Sequence, residues 1–250
     1  MNVVDVQQTL TGHKYISVLP TSVIDVGPQK SRVRAGSKHS MESSRATFSP
    51  YPEEVARLCY ELYLRDCTHI IDPFAGWGER HYWAKRYGKQ YTGYDISDNA
   101  IRFAKETYGV DNILADSNKL EPIPAFDGMI TSPPYYNLEK YSNKSDDLSN
   151  CVTLGQFREN LLNIFKRFYD NASRGCPFCI SIGDFRRDGR YYNLSYILEN
   201  MFVDILKAEL IDKVIVSRKK VSKIKIMIPQ AVRHGYTVKV HEYLYVFSKR

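Results

Sequence analysis

The sequence predicts an α/β fold, a mostly parallel sheet with helices on both faces. Two observations carry this. From about residue 50 onward, short apolar runs alternate with segments of helical period, and such alternation builds parallel sheets covered on both sides. Three early runs also end in an aspartate (Asp72, Asp95 and Asp116), at the sheet edge where open α/β folds bind ligands. The 250 residues, 43% of them hydrophobic, suffice for one domain with a normal core. Residues 1–48 read as an N-terminal arm and 49–250 as the domain proper.

The elements follow in order. The arm has no clear period, and its one expected element is a short strand over 15–19. Ser49-Pro50-Tyr51-Pro52-Glu53-Glu54 starts a helix, with prolines near the first turn and acids close behind. Val55, Leu58, Cys59, Leu62 and Tyr63 continue it at helical spacing. Strands are expected over 68–71, 90–94, 112–115 and 126–131. Helices are expected over 79–87 and 98–108, the second with Asp98 as its cap. A long helix over 154–171 carries Phe157, Leu161, Ile164, Phe165 and Phe168 on one face. A strand over 178–182, a helix over 193–207 and two late strands over 210–216 and 238–247 complete the chain.

Composition bounds the function. No run approaches the length needed to span a bilayer, and nothing at the N-terminus has the pattern of a signal peptide. Five scattered cysteines, an odd number, suit a reducing cytoplasm. Cys176-Pro177-Phe178-Cys179 has redox spacing, but its second cysteine falls in a strand and no second pair completes a metal site, so no metal is expected. Net charge is +7, and it is uneven: 214–250 holds nine Lys/Arg against one acid. A basic segment on a near-neutral body points to a polyanion.

Asp72-Pro73-Phe74-Ala75-Gly76-Trp77-Gly78 is a glycine turn between strand and helix, where backbone approaches a ligand closely and free N–H groups face it. Asp95 ends the next strand, where dinucleotide folds place an acid on ribose hydroxyls. The full G-x-G-x-x-G pattern is incomplete, because His81 stands at its last position. That favours an adenosine-type ligand without a pyrophosphate. Thr131-Ser132-Pro133-Pro134-Tyr135-Tyr136 ends another strand. Neither proline has an N–H for a ladder, so the strand stops in a stiff segment with a hydroxyl, unclaimed carbonyls and two rings. Such a segment suits a flat, amino-bearing group such as a nucleobase.

These motifs, in this order, resemble the S-adenosylmethionine-dependent amino-methyltransferases that act on DNA. The glycine turn is similar to their D-P-F-x-G-x-G cofactor loop. Thr131-Ser132-Pro133-Pro134-Tyr135 is similar to their catalytic loop in the form usual for the cytosine-N4 branch; adenine-N6 enzymes more often carry Asp or Asn at the position of Ser132. His241-Glu242-Tyr243-Leu244-Tyr245-Val246-Phe247 resembles the family's last core strand. The resemblance implies a Rossmann-like class I methyltransferase fold with seven strands, the last antiparallel. It implies S-adenosylmethionine as cofactor, held by Ser49, Tyr51, Asp72, Phe74, Gly76, Gly78, Asp95, Ile96 and Asp116, with Asp72 and the glycine loop at the methionine end, Asp95 on the ribose and Asp116 on the adenine amine. Ser132, Pro133, Pro134 and Tyr135 form the catalytic set, acting on a base flipped out of DNA.

The family usually carries a sizeable target-recognition domain, where this sequence offers only the N-terminal arm and a few insertions. Small insertions at 137–150, 184–192 and 217–237 are left to contact nucleic acid, with Arg186, Arg187, Arg190, Arg218, Lys219, Lys220, Lys223 and Lys225 as the expected contacts. Adenine-N6 methylation of DNA, base methylation of RNA and a non-catalytic nucleic-acid-binding role stand as alternatives.

Overall fold

The computed structural model describes residues 16–27, 50–136, 147–218 and 224–250. Ser49, Lys219, Lys220 and Lys223 lie outside them, as do 137–146 of the first insertion and most of the arm. The backbone of Lys225 is described, but its side chain is not.

Ten strands form. Eight of them, β1 (Val23–Asp25), β2 (His69–Asp72), β3 (Gln90–Asp95), β4 (Ile113–Leu114), β5 (Gly128–Thr131), β6 (Pro177–Ile182), β9 (Glu209–Ser217) and β10 (His241–Ser248), make one sheet in the order β1-β9-β10-β6-β5-β2-β3-β4. Only β10 runs antiparallel, to β6 on one side and β9 on the other. Seven strands match the expected set, and the last is antiparallel as the resemblance implied. The eighth, β1, is an addition to the edge, parallel to β9.

The arm therefore contributes a strand later than expected. The Ser17 N–H is taken by Glu61 Oε2, and Pro20 breaks any ladder before Val23. In β1, only Ile24 turns inward. A second small sheet pairs β7 (Phe185–Arg187) with β8 (Arg190–Tyr192) as a hairpin, where an insertion of unspecified structure was expected.

The helices are α1 (Glu53–Leu58, continuing as a π-turn over Cys59–Tyr63), α2 (Glu79–Arg86), α3 (Asp98–Tyr108), α4 (Leu154–Asn171), α5 (Leu194–Glu199, continuing as a π-turn over Asn200–Ile205) and α6 (Ile224–Arg233). The cap of α3 is Ser97, not Asp98: its side chain accepts the Ala100 N–H at 3.4 Å. Asp98 is the first helical residue, where its charge suits the helix dipole. In α4, Thr153 caps the start and accepts the Gln156 N–H at 3.1 Å, while Phe157, Leu161, Ile164, Phe165 and Phe168 are buried. They pack on one sheet face with Met129, Phe178, Ile180 and Phe202. The other face carries Val55, Leu58, Tyr60, Ile70 and Ile130. The sheet is therefore covered on both sides, and its ligand edge is at the C-terminal ends of β2, β3 and β5.

Candidate active site

The strand order runs outward from β2 to β3 and β4, then back to β5 on the other side of β2. The crevice at such a reversal is where open α/β sheets hold ligands. A cavity of about 1230 Å³, counted out to open solvent, sits there. Tyr51, Phe74, Gly76, Asp95, Ile96, Asp116, Ser132, Pro133, Pro134 and Tyr135 all line it. Two motifs separated by more than fifty residues thus meet in one hollow, because β2 and β5 are hydrogen-bonded neighbours.

The glycine turn is held from below. Asp72 is fully buried and does not line the cavity, which corrects its expected place beside the ligand. Its Oδ1 accepts the Phe74 N–H at 2.9 Å and the Thr131 hydroxyl at 2.5 Å. Its Oδ2 accepts Arg80 Nε–H and the Tyr91 hydroxyl, each at 2.6 Å. A carboxylate with four donors around it has no capacity left for a ligand. Asp72 therefore ties the glycine turn to β5. Arg80 also donates to the Phe74 carbonyl, and its guanidinium lies 4.7 Å from the Tyr51 ring centroid. The Tyr51 hydroxyl bonds Ser181 Oγ at 2.8 Å, so the segment at Pro50–Pro52 is pinned onto β6.

Gly78 is likewise behind the cavity wall. Its φ is +97°, and a Cβ there would approach Ala104 Cβ within 2.7 Å. The position needs glycine both for the left-handed backbone and for the approach of α3; it shapes the loop without touching the cavity.

Asp95 and Asp116 do reach the cavity. Asp95 Oδ2 accepts the Gly76 N–H at 2.8 Å, and Oδ1 accepts the Ser97 N–H at 2.9 Å. Burial pushes its carboxyl up to about 6, against the lowering effect of those two N–H groups. Asp116 Oδ1 accepts the Asn118 N–H at 2.9 Å. A third carboxylate, Glu79, was not anticipated. It opens α2, lines the cavity and is only 8% exposed. Burial pushes it up to about 7, despite the nearby Arg80 charge. An acid directly after the second glycine, at a helix N-terminus, is the signal that could have found it.

The Pro-Pro segment is partly accessible at Ser132, Pro134 and Tyr135. Tyr135 stacks parallel to Phe185 at 6.2 Å, and Phe185 stacks on Tyr192 at 4.8 Å. The hairpin β7–β8 is thereby joined to the loop. At its tip Arg186, Arg187 and Arg190 are exposed. The Arg186 guanidinium lies between the rings of Tyr191 and Tyr236, at 5.0 and 4.9 Å. Arg218 is elsewhere: it lines the cavity and bonds Glu242 Oε2 at 2.8 Å. It was expected as a nucleic-acid contact together with Lys219, Lys220, Lys223 and Lys225; it lies just after β9, with its N–H on the Val240 carbonyl before β10. Cys176 and Cys179 are buried and unlinked, with Cys179 in β6.

The strand order, the antiparallel β10 and the cavity at the reversal are those of a Rossmann-like class I methyltransferase fold. TrmN from Thermus thermophilus matches with a TM-score of 0.53 at 13% identity, over 84% of this chain and 53% of its own. The N-methyltransferase NodS from Bradyrhizobium japonicum WM9, solved with S-adenosyl-L-homocysteine, matches with a TM-score of 0.51 at 12% identity, over 82% of this chain and 90% of its own. The chain thus spans about half the length of TrmN. At these identities the likeness establishes the fold. No family model and no curated protein matches the sequence.

Proposed function

We propose that this protein transfers a methyl group from S-adenosylmethionine to an exocyclic base amine in DNA, namely cytosine N4. The observation that supports it most is the meeting of Ser132-Pro133-Pro134-Tyr135 with Asp95 and Asp116 in one cavity. The donor set fits the cofactor. Besides Glu242, which is paired with Arg218, Glu79, Asp95, Asp116 and Asp147 put four carboxylates on the wall, while Arg80 is committed to Asp72 and Lys119 pairs with Asp116 at 3.4 Å. A ligand carrying an ammonium and a sulfonium suits that charge balance.

In this reading Asp95 takes the ribose hydroxyls and Asp116 the adenine amine. Glu79 and the backbone of Phe74 and Gly76 lie toward the methionine end, with Ser49 expected nearby from the sequence. S-adenosylmethionine, when bound, supplies an electrophilic methyl group. Ser132 Oγ and the Pro133 carbonyl accept the two N–H bonds of the base amine. An exocyclic amine is a poor nucleophile because its lone pair is delocalised into the ring; holding both N–H bonds out of the ring plane localises it. The amine nitrogen would gain the methyl group as the methyl–sulfur bond breaks, leaving the neutral thioether S-adenosylhomocysteine, and one N–H proton would pass to solvent. Rate enhancement comes from positioning and fixed dipoles, with no covalent enzyme intermediate. Tyr135, backed by Phe185, offers a face for the flipped base, and Arg186, Arg187 and Arg190 offer phosphate contacts.

The exposed arginine and tyrosine hairpin also suits single strands, so RNA is the second reading, with adenine N6 as the alternative acceptor within DNA. One experiment separates these. Protein, S-adenosylmethionine and either unmodified DNA or RNA are incubated, and digested nucleosides are analysed by mass spectrometry. N4-methyldeoxycytidine supports the proposal; N6-methyldeoxyadenosine or a methylated ribonucleoside replaces it with the corresponding alternative. An absence of any methylated nucleoside, with cofactor binding intact, rejects catalysis on these polymers.

A further inference from the structure

Arg218 is placed to do more than neutralise a phosphate. Its backbone N–H is fixed to the Val240 carbonyl at 2.6 Å, and its side chain is 24% exposed, as is that of Glu242. One donor, on Nη2, is used on Glu242. The Nε–H is buried and has no hydrogen-bond partner among the described residues. Sealed from solvent, that donor is not offered to an entering ligand; the N–H bonds left to one are those on the Nη groups that Glu242 does not take.

Arg218 is also linked to the catalytic loop. Gly183 follows β6, and a Cβ there would come within 2.8 Å of both the Tyr135 hydroxyl and Glu242 Cγ. Tyr135 and Glu242 therefore pack over the same glycine. Through Glu242 the guanidinium is tied to the same wall of the cavity as Tyr135.

The chemistry of the base decides what this guanidinium can read. Cytosine has its ring N3 next to the C4 amine, and O2 next to N3: two adjacent acceptors on one edge. Adenine has N1 next to the C6 amine, and then a C–H. Arg presents a planar fork of N–H donors suited to two adjacent acceptors. We propose that Arg218 is a specificity-determining residue that donates to N3 and O2 of a cytosine whose N4 amine is held at Ser132, with Glu242 orienting the guanidinium. This rests on the proposed amine methylation.

The test uses the full chain, Arg218→Lys and Arg218→Met. Arg218→Lys keeps a cation facing Glu242 but lacks the fork. Wild type is assayed first, and the methylated cytosine position is mapped. Single-turnover transfer is then measured at saturating DNA, on oligonucleotides with cytosine or 3-deazacytosine (N3 replaced by C–H) at that position. Loss of a paired base contact should lower transfer by about 10- to 100-fold in both variants. The deaza base should lower wild-type transfer and produce no comparable further loss in the variants. Cofactor affinity, followed by thermal shift, and the slope of DNA binding against salt should stay at wild-type values.

Wild-type transfer rates in Arg218→Lys would overturn the assignment. So would independent, multiplicative losses from the variant and the deaza base. A salt slope reduced by about one would make Arg218 a phosphate contact, and a cofactor affinity reduced as much as the rate would make its partner the methionine carboxylate. If wild type methylates another base, the reading beneath this one fails and takes the assignment with it. If cytosine is methylated and the variants are unaffected, only the assignment to Arg218 fails.

Discussion

Arg80 Nε donates to Asp72 Oδ2 across 2.6 Å, and both side chains are buried. This pair lies beneath the glycine turn and joins it to β5 through Thr131. Removing one partner of a buried pair leaves an uncompensated charge, which typically costs about 3–5 kcal/mol. Asp72→Ala should therefore destabilise the fold by about that amount, as measured by urea denaturation. A loss below about 1 kcal/mol would show that the network is not holding the loop.

Asp95 has a different role, since it reaches the cavity. Asp95→Ala should weaken S-adenosylmethionine binding by about 1–3 kcal/mol, the scale of lost charge-assisted hydrogen bonds. Calorimetry on folded protein is the measurement. An unchanged dissociation constant would take Asp95 out of the binding site.

Ser132 and Tyr135 should fail in different constants. Ser132→Ala removes one acceptor for the amine and should slow single-turnover transfer by about 10²–10³, with cofactor affinity nearly unchanged. Tyr135→Ala should weaken binding of the flipped base by about 1–3 kcal/mol of stacking. Wild-type transfer in Ser132→Ala would reduce the Pro-Pro segment to a turn.

Glu79 sets a pH dependence. Burial raises its pKa to about 7, so the native state holds a proton that the unfolded chain has released above its ordinary carboxylate pKa. The slope of stability with pH is then negative between that value and about 7, as the linkage sign requires. Relative to Glu79→Gln, wild type should lose up to about 3 kcal/mol as pH rises from 4 to 8, in the absence of ligand. Chemical denaturation at several pH values gives the difference. Parallel curves would mean that Glu79 is not protonated in the folded protein.

The hairpin should carry the salt dependence. Arg186, Arg187 and Arg190 are exposed at its tip. If all three contact phosphates, replacing them with alanine should lower the slope of log binding against log salt by about two to three units. A slope equal to that of wild type would assign the hairpin a stacking role only.

The sequence by itself determined the local chemistry. Strand–helix alternation, the glycine turn, aspartates at strand ends and a Pro-Pro stop are short-range signals, and each depends on backbone geometry that a few residues impose. They were enough for the parallel sheet, for α4 with its buried face, and for ten of the residues that line the cavity, Tyr51, Asp95, Asp116 and Ser132–Tyr135 among them. The addition of β1 to the edge, the capping of α3 by Ser97 and the pairing of β7 with β8 depended on partners or small local energy differences that no period reveals. Tertiary structure alone decided which acids are spent and which are presented. Asp72 and Asp95 both end strands, yet Asp72 is consumed by Arg80, Tyr91, Thr131 and the Phe74 N–H, while Asp95 lines the cavity. Glu79, Arg218 and Glu242 joined the cavity for the same reason. Burial and hydrogen-bond satisfaction are properties of neighbours brought together across the sheet, and linear order does not contain them.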